Sequence, residues 1–205
     1  MDGFLLAYKE KGVSSNQVVQ KTKRLLSLKK VGHLGTLDPM AEGLLVLAVN
    51  RATRFSSFFL ESDKRYEAEV SFGTKTDTDD AMGEVIESSS TIPKESDIKQ
   101  ELNKFLGESL QIPPFFSALK HKGKPLYKYA REGEFISKPP RKINIYSINN
   151  FSYLNNSCRF LVHCSKGTYI RSIARDLGDN LGSKGHLSAL KRVMQGEFDV
   201  EKSKI

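Results

Sequence analysis

Residues 31–49 read V-G-H-L-G-T-L-D-P-M-A-E-G-L-L-V-L-A-V and place one carboxylate, Asp38, in a short segment with glycines on both sides. The apolar, uncharged run at 44–49 predicts a strand that is buried on both faces. Pro39 disfavours helical geometry at Asp38, so we expect a loop that is anchored to this strand and presents the carboxylate. Asp38 followed by Pro39 also fits a helix N-cap, and the local sequence leaves both interpretations open.

The charge balance indicates a polyanionic partner. The 205 residues include 32 Lys and Arg against 24 Asp and Glu, which gives a formal net charge of +8. Neither a basic amphipathic helix nor a long apolar span is visible, so a nucleic acid fits better than a membrane surface. The N-terminal apolar run is too short for a secretory signal, and we therefore expect a cytoplasmic protein.

The two cysteines predict neither a disulfide nor a metal site. An intracellular protein of this size has little use for a disulfide. His163 stands next to Cys164 in a stretch that reads as a strand, and strand alternation sends neighbouring side chains to opposite faces. We therefore expect Cys158 and Cys164 to be free, with no metal bound between them.

Hydrophobic periodicity predicts several regular elements. The first helix should be capped by Ser14 or Ser15 and should carry its apolar residues on one side. These residues are Val18, Val19, Thr22, Leu25 and Leu26. Strands are expected at 4–8, 64–72, 142–151 and 159–164, and further helices over 98–105 and from about Arg171 onward.

An acidic segment at 73–84 reads G-T-K-T-D-T-D-D-A-M-G-E. Its clustered aspartates are reminiscent of a calcium loop, but the remaining ligands of an EF-hand, including the final glutamate, are missing. We therefore expect a solvated turn at Asp77, Asp79 and Asp80.

A basic segment follows at 120–142, where eight Lys or Arg stand against two Glu. Tyr127 and Tyr129 are interleaved with the cations. Because cations neutralise phosphates and aromatic rings stack on exposed bases, this basic segment is a candidate RNA-facing surface. A charged face that only contacts solvent is the alternative.

Several stretches, in a fixed order, resemble the motifs of the TruB family of pseudouridine synthases. The family's signature loop is similar to G-H-L-G-T-L-D-P-x-A-x-G-L-L at 32–45. Three further motifs resemble K-R-Y-x-A at 64–68, G-T-Y-I-R at 167–171 and H-L-S-A-L-K-R at 186–192. Glu10 stands where the family usually has proline. The likeness runs from Gly3 to about Gly196, which is nearly the whole chain.

The resemblance implies an α+β pseudouridine synthase fold, with a mixed, mainly antiparallel sheet, flanking helices and a central RNA-binding cleft. It implies that Asp38, Tyr66 and Arg171 are the catalytic residues, of which Tyr66 stacks on the target base and Arg171 pairs with the aspartate. The pairing is chemically sensible, because a neighbouring guanidinium orients a carboxylate. Without the family, Tyr66 would be interpreted as a core tyrosine at a strand end.

The resemblance also assigns substrate-binding positions within these motifs. Ile170 and Leu190 would make the pocket apolar, and Tyr169 and Lys64 belong to the same set. His33 is similar to the family histidine that helps hold the flipped-out conformation of the RNA. A purely structural histidine is the alternative at that position.

The implied reaction is the isomerisation of uridine to pseudouridine in the T arm of tRNA, at position 55. The N1–C1′ bond breaks, the base turns while it stays bound, and C5 rejoins the ribose, so no cofactor and no metal is expected. Asp38 would act as nucleophile at C1′ or by a related route through proton abstraction. The uridine must be flipped out of its stack to reach the pocket.

The expected partner is the T stem-loop of tRNA, with no membrane, no obligate protein partner and a monomeric state. Residues 1–205 are expected to form a single catalytic domain, without the C-terminal PUA-type domain that many family members carry. Two alternatives stay open at this point. One is a non-catalytic RNA-binding module that uses the same cleft, and the other is a relative that modifies a different RNA.

Overall fold

The computed structural model describes residues 2–203, which contain five α-helices and thirteen strands. The helices are α1 (Ser15–Leu25), α2 (Ser56–Leu60), α3 (Glu95–Lys104), α4 (Leu126–Arg131) and α5 (Ile170–Asn180). The strands are β1 (Gly3–Lys9), β2 (Val31–His33), β3 (Glu42–Val49), β4 (Lys64–Phe72), β5 (Thr74–Thr76), β6 (Val85–Ser88), β7 (Gly107–Gln111), β8 (Lys120–His121), β9 (Lys124–Pro125), β10 (Arg141–Leu154), β11 (Ser157–Cys164), β12 (Gly185–Gln195) and β13 (Phe198–Asp199). Short 3₁₀ helices lie at Asn50–Phe55 and Val200–Lys202.

Nine of these strands form one sheet in the order β1-β3-β12-β4-β11-β10-β7, with β2 beside β3 and β13 beside β12. Neighbouring strands run antiparallel, except that β3 and β12 pair in parallel over a short stretch. The hairpins β5–β6 and β8–β9 form two small separate sheets. The expected α+β class with a mixed, mainly antiparallel sheet is therefore confirmed.

Strand β3 is the predicted anchor of the Asp38 loop. Every residue at 43–49 is buried. Leu44 and its alternate neighbours pack in one apolar cluster, whereas Leu45 and its alternate neighbour pack in a second. Since successive side chains of a strand point to opposite faces, the two clusters confirm a strand that is buried on both sides.

Helix α1 begins with a capping box. The Ser14 hydroxyl accepts a hydrogen bond from the backbone N–H of Gln17, and the Gln17 side chain accepts one from the N–H of Ser14. This exchange confirms Ser14 as the N-cap. Val19 is buried against β3, but Leu25 and Leu26 are 66% and 42% exposed. The predicted apolar side was wrong for these two leucines, because the described elements leave the last turn of the helix uncovered.

The main apolar core lies between the sheet and helices α3 and α5. Ile170, Ile173 and Leu177 share one side of α5 and are buried there. This packing fixes the direction of α5 and places Arg171 in its first turn. The strands predicted at 142–151 and 159–164 are confirmed as parts of β10 and β11.

Strand β12 was not predicted. It pairs with β4 along most of its length, and an extra residue between Leu187 and Ala189 interrupts the register as a β-bulge. Because of the bulge, Leu187 and Leu190 are both buried although they are three residues apart. Such spacing is typical of a helix, so the simple alternation that identifies a strand is lost.

Candidate active site

The loop between β2 and β3 carries Asp38 and is held on both sides of it. The Ser15 hydroxyl donates to the C=O of Leu37 and accepts from its N–H, each at 2.9 Å. The C=O of Pro39 accepts from the N–H of Gly12 at 2.7 Å. The chain then passes through a turn directly into β3, so the interpretation of Asp38 as a helix N-cap is wrong.

Asp38 meets Arg171 at the start of α5. The Nε of Arg171 lies 2.9 Å from the Oδ2 of Asp38. The terminal guanidinium nitrogens donate to the C=O of Thr78 at 2.8 Å and to that of Phe116 at 2.9 Å. The Arg171 side chain is 4% exposed and the Asp38 side chain is 37% exposed. A buried and fully engaged guanidinium therefore orients a carboxylate that stays accessible.

A second carboxylate approaches the same guanidinium. The Oδ2 of Asp80 lies 3.7 Å from the Nε of Arg171, and its Oδ1 accepts from the Thr78 hydroxyl and the Met82 N–H, each at 2.9 Å. Asp79 and Asp80 are only 7% and 5% exposed, so the prediction of a solvated turn is wrong for both. Sequence reasoning missed Asp80 because its burial depends on α5, which lies far along the chain.

One cleft of about 350 Å³ brings most of the predicted site together, and its volume lies in the range of small-molecule sites. Seven of the eight predicted residues line it, namely Asp38, Tyr66, Arg171, Tyr169, Ile170, Leu190 and Lys64. His33 is not among the residues that line this cleft. Arg192, Ser117 and Leu60 line it as well, although the sequence did not single them out.

Tyr66 and Arg192 are both buried in the cleft wall, with exposures of 9% and 1%. Burial raises the pKa of Tyr66, while the charge of the Arg192 guanidinium opposes that shift. Arg192 also donates to the C=O of Leu44 at 2.8 Å and to that of Gly35 at 3.0 Å. It forms no ion pair with any carboxylate in the part of the chain that the structure describes.

Two buried lysines lie close to the cleft. Lys9 donates to the C=O of Pro39 at 3.4 Å and so contacts the Asp38 loop. Lys64 donates to the C=O of Leu60 at 2.9 Å and to that of Ser62. Burial lowers the pKa of each lysine to about 8. Both amines are committed to backbone carbonyls, and Lys64 thereby fixes the end of α2 at the cleft rim.

His33 lies on β2, opposite Leu47 of β3. Its Nδ1 is buried, and none of the described residues provides a hydrogen-bond partner for it. Burial and the nearby Arg192 charge both lower the pKa of the His33 imidazole. The ring is therefore favoured in its neutral form, and its role in holding the flipped-out RNA stays a prediction.

The wall formed by Tyr169 and Ile170 is fixed through the backbone. The Gln111 side chain donates to the C=O of Tyr169 at 3.0 Å and accepts from its N–H at 2.8 Å. The Arg141 guanidinium lies 5.8 Å from the centroid of the Tyr169 ring, a cation–π distance. Together with the apolar side chain of Leu190, these groups suit a planar base that is attached to a phosphate backbone.

Metal-ligating groups, thiols and apolar helices are the remaining candidate features in residues 2–203. No group of three or more His, Cys, Asp or Glu side chains is arranged there to hold a metal ion. Cys158 and Cys164 are free and buried, and burial raises the pKa of both thiols to about 12. None of the helices in this range is long and apolar enough to span a membrane.

Comparisons with known proteins agree with these motifs. The sequence model described as TruB family pseudouridylate synthase (N terminal domain) matches residues 23–170, well over half of the chain. The chain is 47% identical over 203 residues to tRNA pseudouridine synthase B of Francisella philomiragia, which covers 98% of the chain and 67% of that relative. It is 45% identical over 200 residues to the protein of the same name from Mannheimia succiniciproducens, with coverages of 98% and 66%.

The chain thus spans about two thirds of the length of these curated relatives. Among solved structures, a chain of a Cbf5-Nop10-Gar1 complex superposes with a TM-score of 0.73 at 31% sequence identity. The alignment covers 96% of this chain and 50% of that one. Together with the family match, this likeness confirms the expected pseudouridine synthase fold.

Proposed function

The chain belongs to the TruB family of pseudouridylate synthases, and we propose that it isomerises uridine to pseudouridine in the T arm of tRNA. The observation that carries this proposal is the Asp38–Arg171 pair, whose atoms lie 2.9 Å apart in a cleft. Residues from four widely separated motifs line that cleft together. A single reaction centre explains why they converge.

In this proposal Asp38 is the catalytic nucleophile. The N1–C1′ bond of the uridine breaks, a C5–C1′ bond forms, C5 loses a proton and N1 gains one, so the nucleoside keeps its composition. Asp38 acts at C1′ directly or through a route that begins with proton abstraction. Arg171 orients the carboxylate, since its other nitrogens are fixed by two backbone carbonyls and the guanidinium cannot turn away.

The base is bound by the remaining cleft residues. The substrate-binding residues of the proposal are Tyr169, Ile170, Leu190, Lys64 and His33, while Tyr66 belongs with Asp38 and Arg171 to the catalytic residues. Tyr66 stacks on the flipped uracil, and a stacked base contributes about 1–3 kcal/mol, which helps offset the cost of unstacking. Ile170 and Leu190 exclude water from the ring edges, and Lys64 supports the rim. His33 helps hold the RNA in its flipped-out conformation.

The basic segment supplies a surface for the RNA backbone. It folds into the hairpin β8–β9 and helix α4, directly after Ser117 of the cleft lining. Within it, the Lys124 amine lies 4.5 Å from the centroid of the Tyr129 ring, so cations and aromatic rings are held together. With a net charge of +8 on the chain, affinity for tRNA should fall steeply with added salt.

The decisive experiment maps pseudouridine at single-nucleotide resolution in an unmodified tRNA transcript after incubation with the protein. Asp38→Ala is tested beside it, with Glu10→Gln, which alters an exposed carboxylate near the same loop, as the control. We expect one new pseudouridine in the T arm with the wild type and with Glu10→Gln. Asp38→Ala should form no detectable pseudouridine, which corresponds to a rate at least about 10⁴-fold lower, while its affinity for tRNA is retained.

Each other outcome has a distinct meaning. Product at a uridine outside the T arm, or only in another RNA, would point to a relative with a different substrate. Binding of tRNA without product in any RNA offered would favour the non-catalytic RNA-binding module. Turnover by Asp38→Ala would remove the catalytic role of Asp38 while leaving the reaction in place.

A further inference from the structure

Helix α5 carries a second arginine one turn after Arg171. Arg175 therefore shares the helix face from which Arg171 reaches the Asp38 loop. Its Nη1 lies 3.1 Å from the Oδ2 of Asp79, and its Nη2 donates to the C=O of Ile112 at 3.1 Å. Its Nε donates to Asp176 at 2.8 Å, so the guanidinium is fully engaged.

The two arginines bridge the same pair of chain segments. Arg171 binds Thr78 on one side and Phe116 on the other, while Arg175 binds Asp79 and Ile112. The first segment is the turn at 76–80, and the second is the irregular stretch at 112–117. Arg175 differs in that its ion pairs are with Asp79 and Asp176 and not with Asp38, and it does not line the cleft. The link that Arg175 makes between Asp79 and Ile112 therefore takes no direct part in the proposed reaction.

The turn at 76–80 is built around Asp79. This residue has a φ of +61°, in the left-handed region, and its side chain is only 9% exposed. Its C=O accepts from the N–H of Leu187 on β12 at 3.0 Å. The Arg175 guanidinium provides the counter-charge that a buried carboxylate needs, and so stabilises Asp79 in this strained conformation. The Asp79–Arg175 pair thus fixes the conformation of a turn whose next residue, Asp80, faces Arg171.

The stretch at 112–117 leads straight into the basic segment. The C=O of Ser117 accepts from the N–H of Tyr127 at 3.0 Å, and the C=O of Leu119 accepts from the N–H of Leu126 at 2.7 Å. These bonds join the stretch to helix α4 of the basic segment. A shift of the basic segment would therefore pull on the carbonyls that the two arginines hold.

We propose that Asp79 and Arg175 form a latch that couples docking of RNA on the basic segment to the position of Arg171 beside Asp38. Both are positioning residues, since neither lines the cleft. The inference rests on the proposed function, because it takes the basic segment as the RNA surface and Asp38 as the reacting group. It adds that the Asp38–Arg171 geometry depends on a second ion pair one helical turn away.

The first test compares Asp79→Asn with the wild type in single-turnover reactions with enzyme in excess over tRNA. Asparagine keeps the size and one acceptor of the side chain, so the variant should fold. Because small displacements of reacting groups are costly, we expect the single-turnover rate to fall about 10- to 100-fold. The affinity for tRNA should stay within about two-fold, since no contact with the RNA is removed. A normal rate would overturn the latch.

A double variant separates the latch from a merely structural effect. Arg175→Gln and the double variant Asp79→Asn with Arg175→Gln complete a cycle, in which the double variant should lose less than the two single losses multiplied together, because the two residues act as one unit. Additive losses would contradict the pairing. Glu95→Gln is the control, since it breaks an exposed ion pair with Lys99 on α3 and should leave the rate unchanged.

The pH profile provides a readout that a structural role would not move. Burial raises the pKa of Asp79 to about 6, against the charges of Arg175, Arg171 and Lys75, while Asp176 adds to the rise. Protonation below about 6 should weaken the latch and slow the wild type, and this component should be absent in Asp79→Asn. The contribution of Asp79 to the free energy of unfolding should instead rise as the pH falls below about 6. The reason is that a carboxyl whose pKa is raised in the folded state binds its proton more tightly there than in the unfolded chain. A profile shared by both proteins would overturn the proposal.

Hydrogen exchange tests the latch without any catalysis. The amides of Ile112 and of residues 115–119 should exchange faster in Asp79→Asn than in the wild type, while amides of β3 should not change. Absence of product from the wild type would remove the proposed function, but the exchange result would still decide whether Asp79 holds this stretch. Unchanged exchange at 112–119 would sink the latch even if the enzyme is active.

Discussion

Two buried arginines line the same cleft, and they differ in what they bind. Arg171 contacts the carboxylate of Asp38 as well as two backbone carbonyls. Arg192 instead donates to the carbonyls of Leu44 and Gly35, without a carboxylate partner in the described part of the chain. An arginine paired with an accessible carboxylate orients a reactive group, whereas one enclosed by carbonyls fixes the surrounding strands. In this cleft Arg171 therefore orients the carboxylate of Asp38, whereas Arg192 holds the neighbouring backbone in place.

Arg171→Lys should have the largest effect, and this effect should be on the rate of the reaction. A lysine ammonium is a point donor and cannot reach Asp38, Thr78 and Phe116 in the geometry of a guanidinium fork. Since the reacting carboxylate would lose its fixed orientation, pseudouridine formation in single-turnover assays should slow about 100-fold. Arg159→Lys is the control, because its pair with Glu69 is exposed, and it should react at the wild-type rate. A near-normal rate in Arg171→Lys would mean that the Asp38–Arg171 pair is incidental.

Arg192→Met should act mainly on stability. Methionine fills much of the volume but leaves the buried carbonyls of Leu44 and Gly35 without their donor. The free energy of unfolding, measured by urea titration, should fall by about 2–4 kcal/mol, because each orphaned acceptor is costly.

Lys191→Met provides a matched control for this variant. Lys191 directly precedes Arg192 on β12, so its side chain points to the opposite face of the sheet. On that face its amine lies 4.0 Å from the carboxylate of Glu67 on the neighbouring strand β4. Loss of such a partly exposed charge should change the free energy of unfolding by about 0.5 kcal/mol or less. Equal losses in the two variants would erase the distinction between an arginine that supports the strands and an ordinary strand cation.

The strand behind Asp38 was predictable because its signal, the apolar run at 44–49, is local. The local sequence did not decide whether Asp38 lies in a loop or caps a helix, and the resemblance to known motifs favoured the loop and added the roles. Ser14 as the cap of α1 was readable for the same reason. The sequence signals of helix caps and buried strands come from neighbouring residues, so both can be predicted without knowledge of the fold.

Arg192 and Asp80 escaped prediction because their burial is set by distant partners. Lys191 and Arg192 stand side by side, and nothing local tells which one points inward. A regular alternation would have identified β12 and shown which of the two side chains points inward. The β-bulge between Leu187 and Ala189 breaks that alternation. Asp80 looked like part of a solvated turn, because its burial depends on contacts with α5 and with Leu187 of β12, both far along the chain. Buried charges in general need a tertiary partner, which sequence spacing does not reveal.

The smallest expected effect tests whether Arg192 also acts through its charge. Burial, followed by the charge of Arg192, lowers the pKa of Lys64 to about 8 from an ordinary value of 10.5. Between these values the unfolded chain binds more protons than the folded one, so the Lys64 contribution to the free energy of unfolding rises with pH. Measured as wild type minus Lys64→Met, that rise should begin near pH 8. In an Arg192→Met background it should begin at higher pH, and in a Lys191→Met background it should not move. An unmoved onset in Arg192→Met would reduce the role of Arg192 to its hydrogen bonds alone.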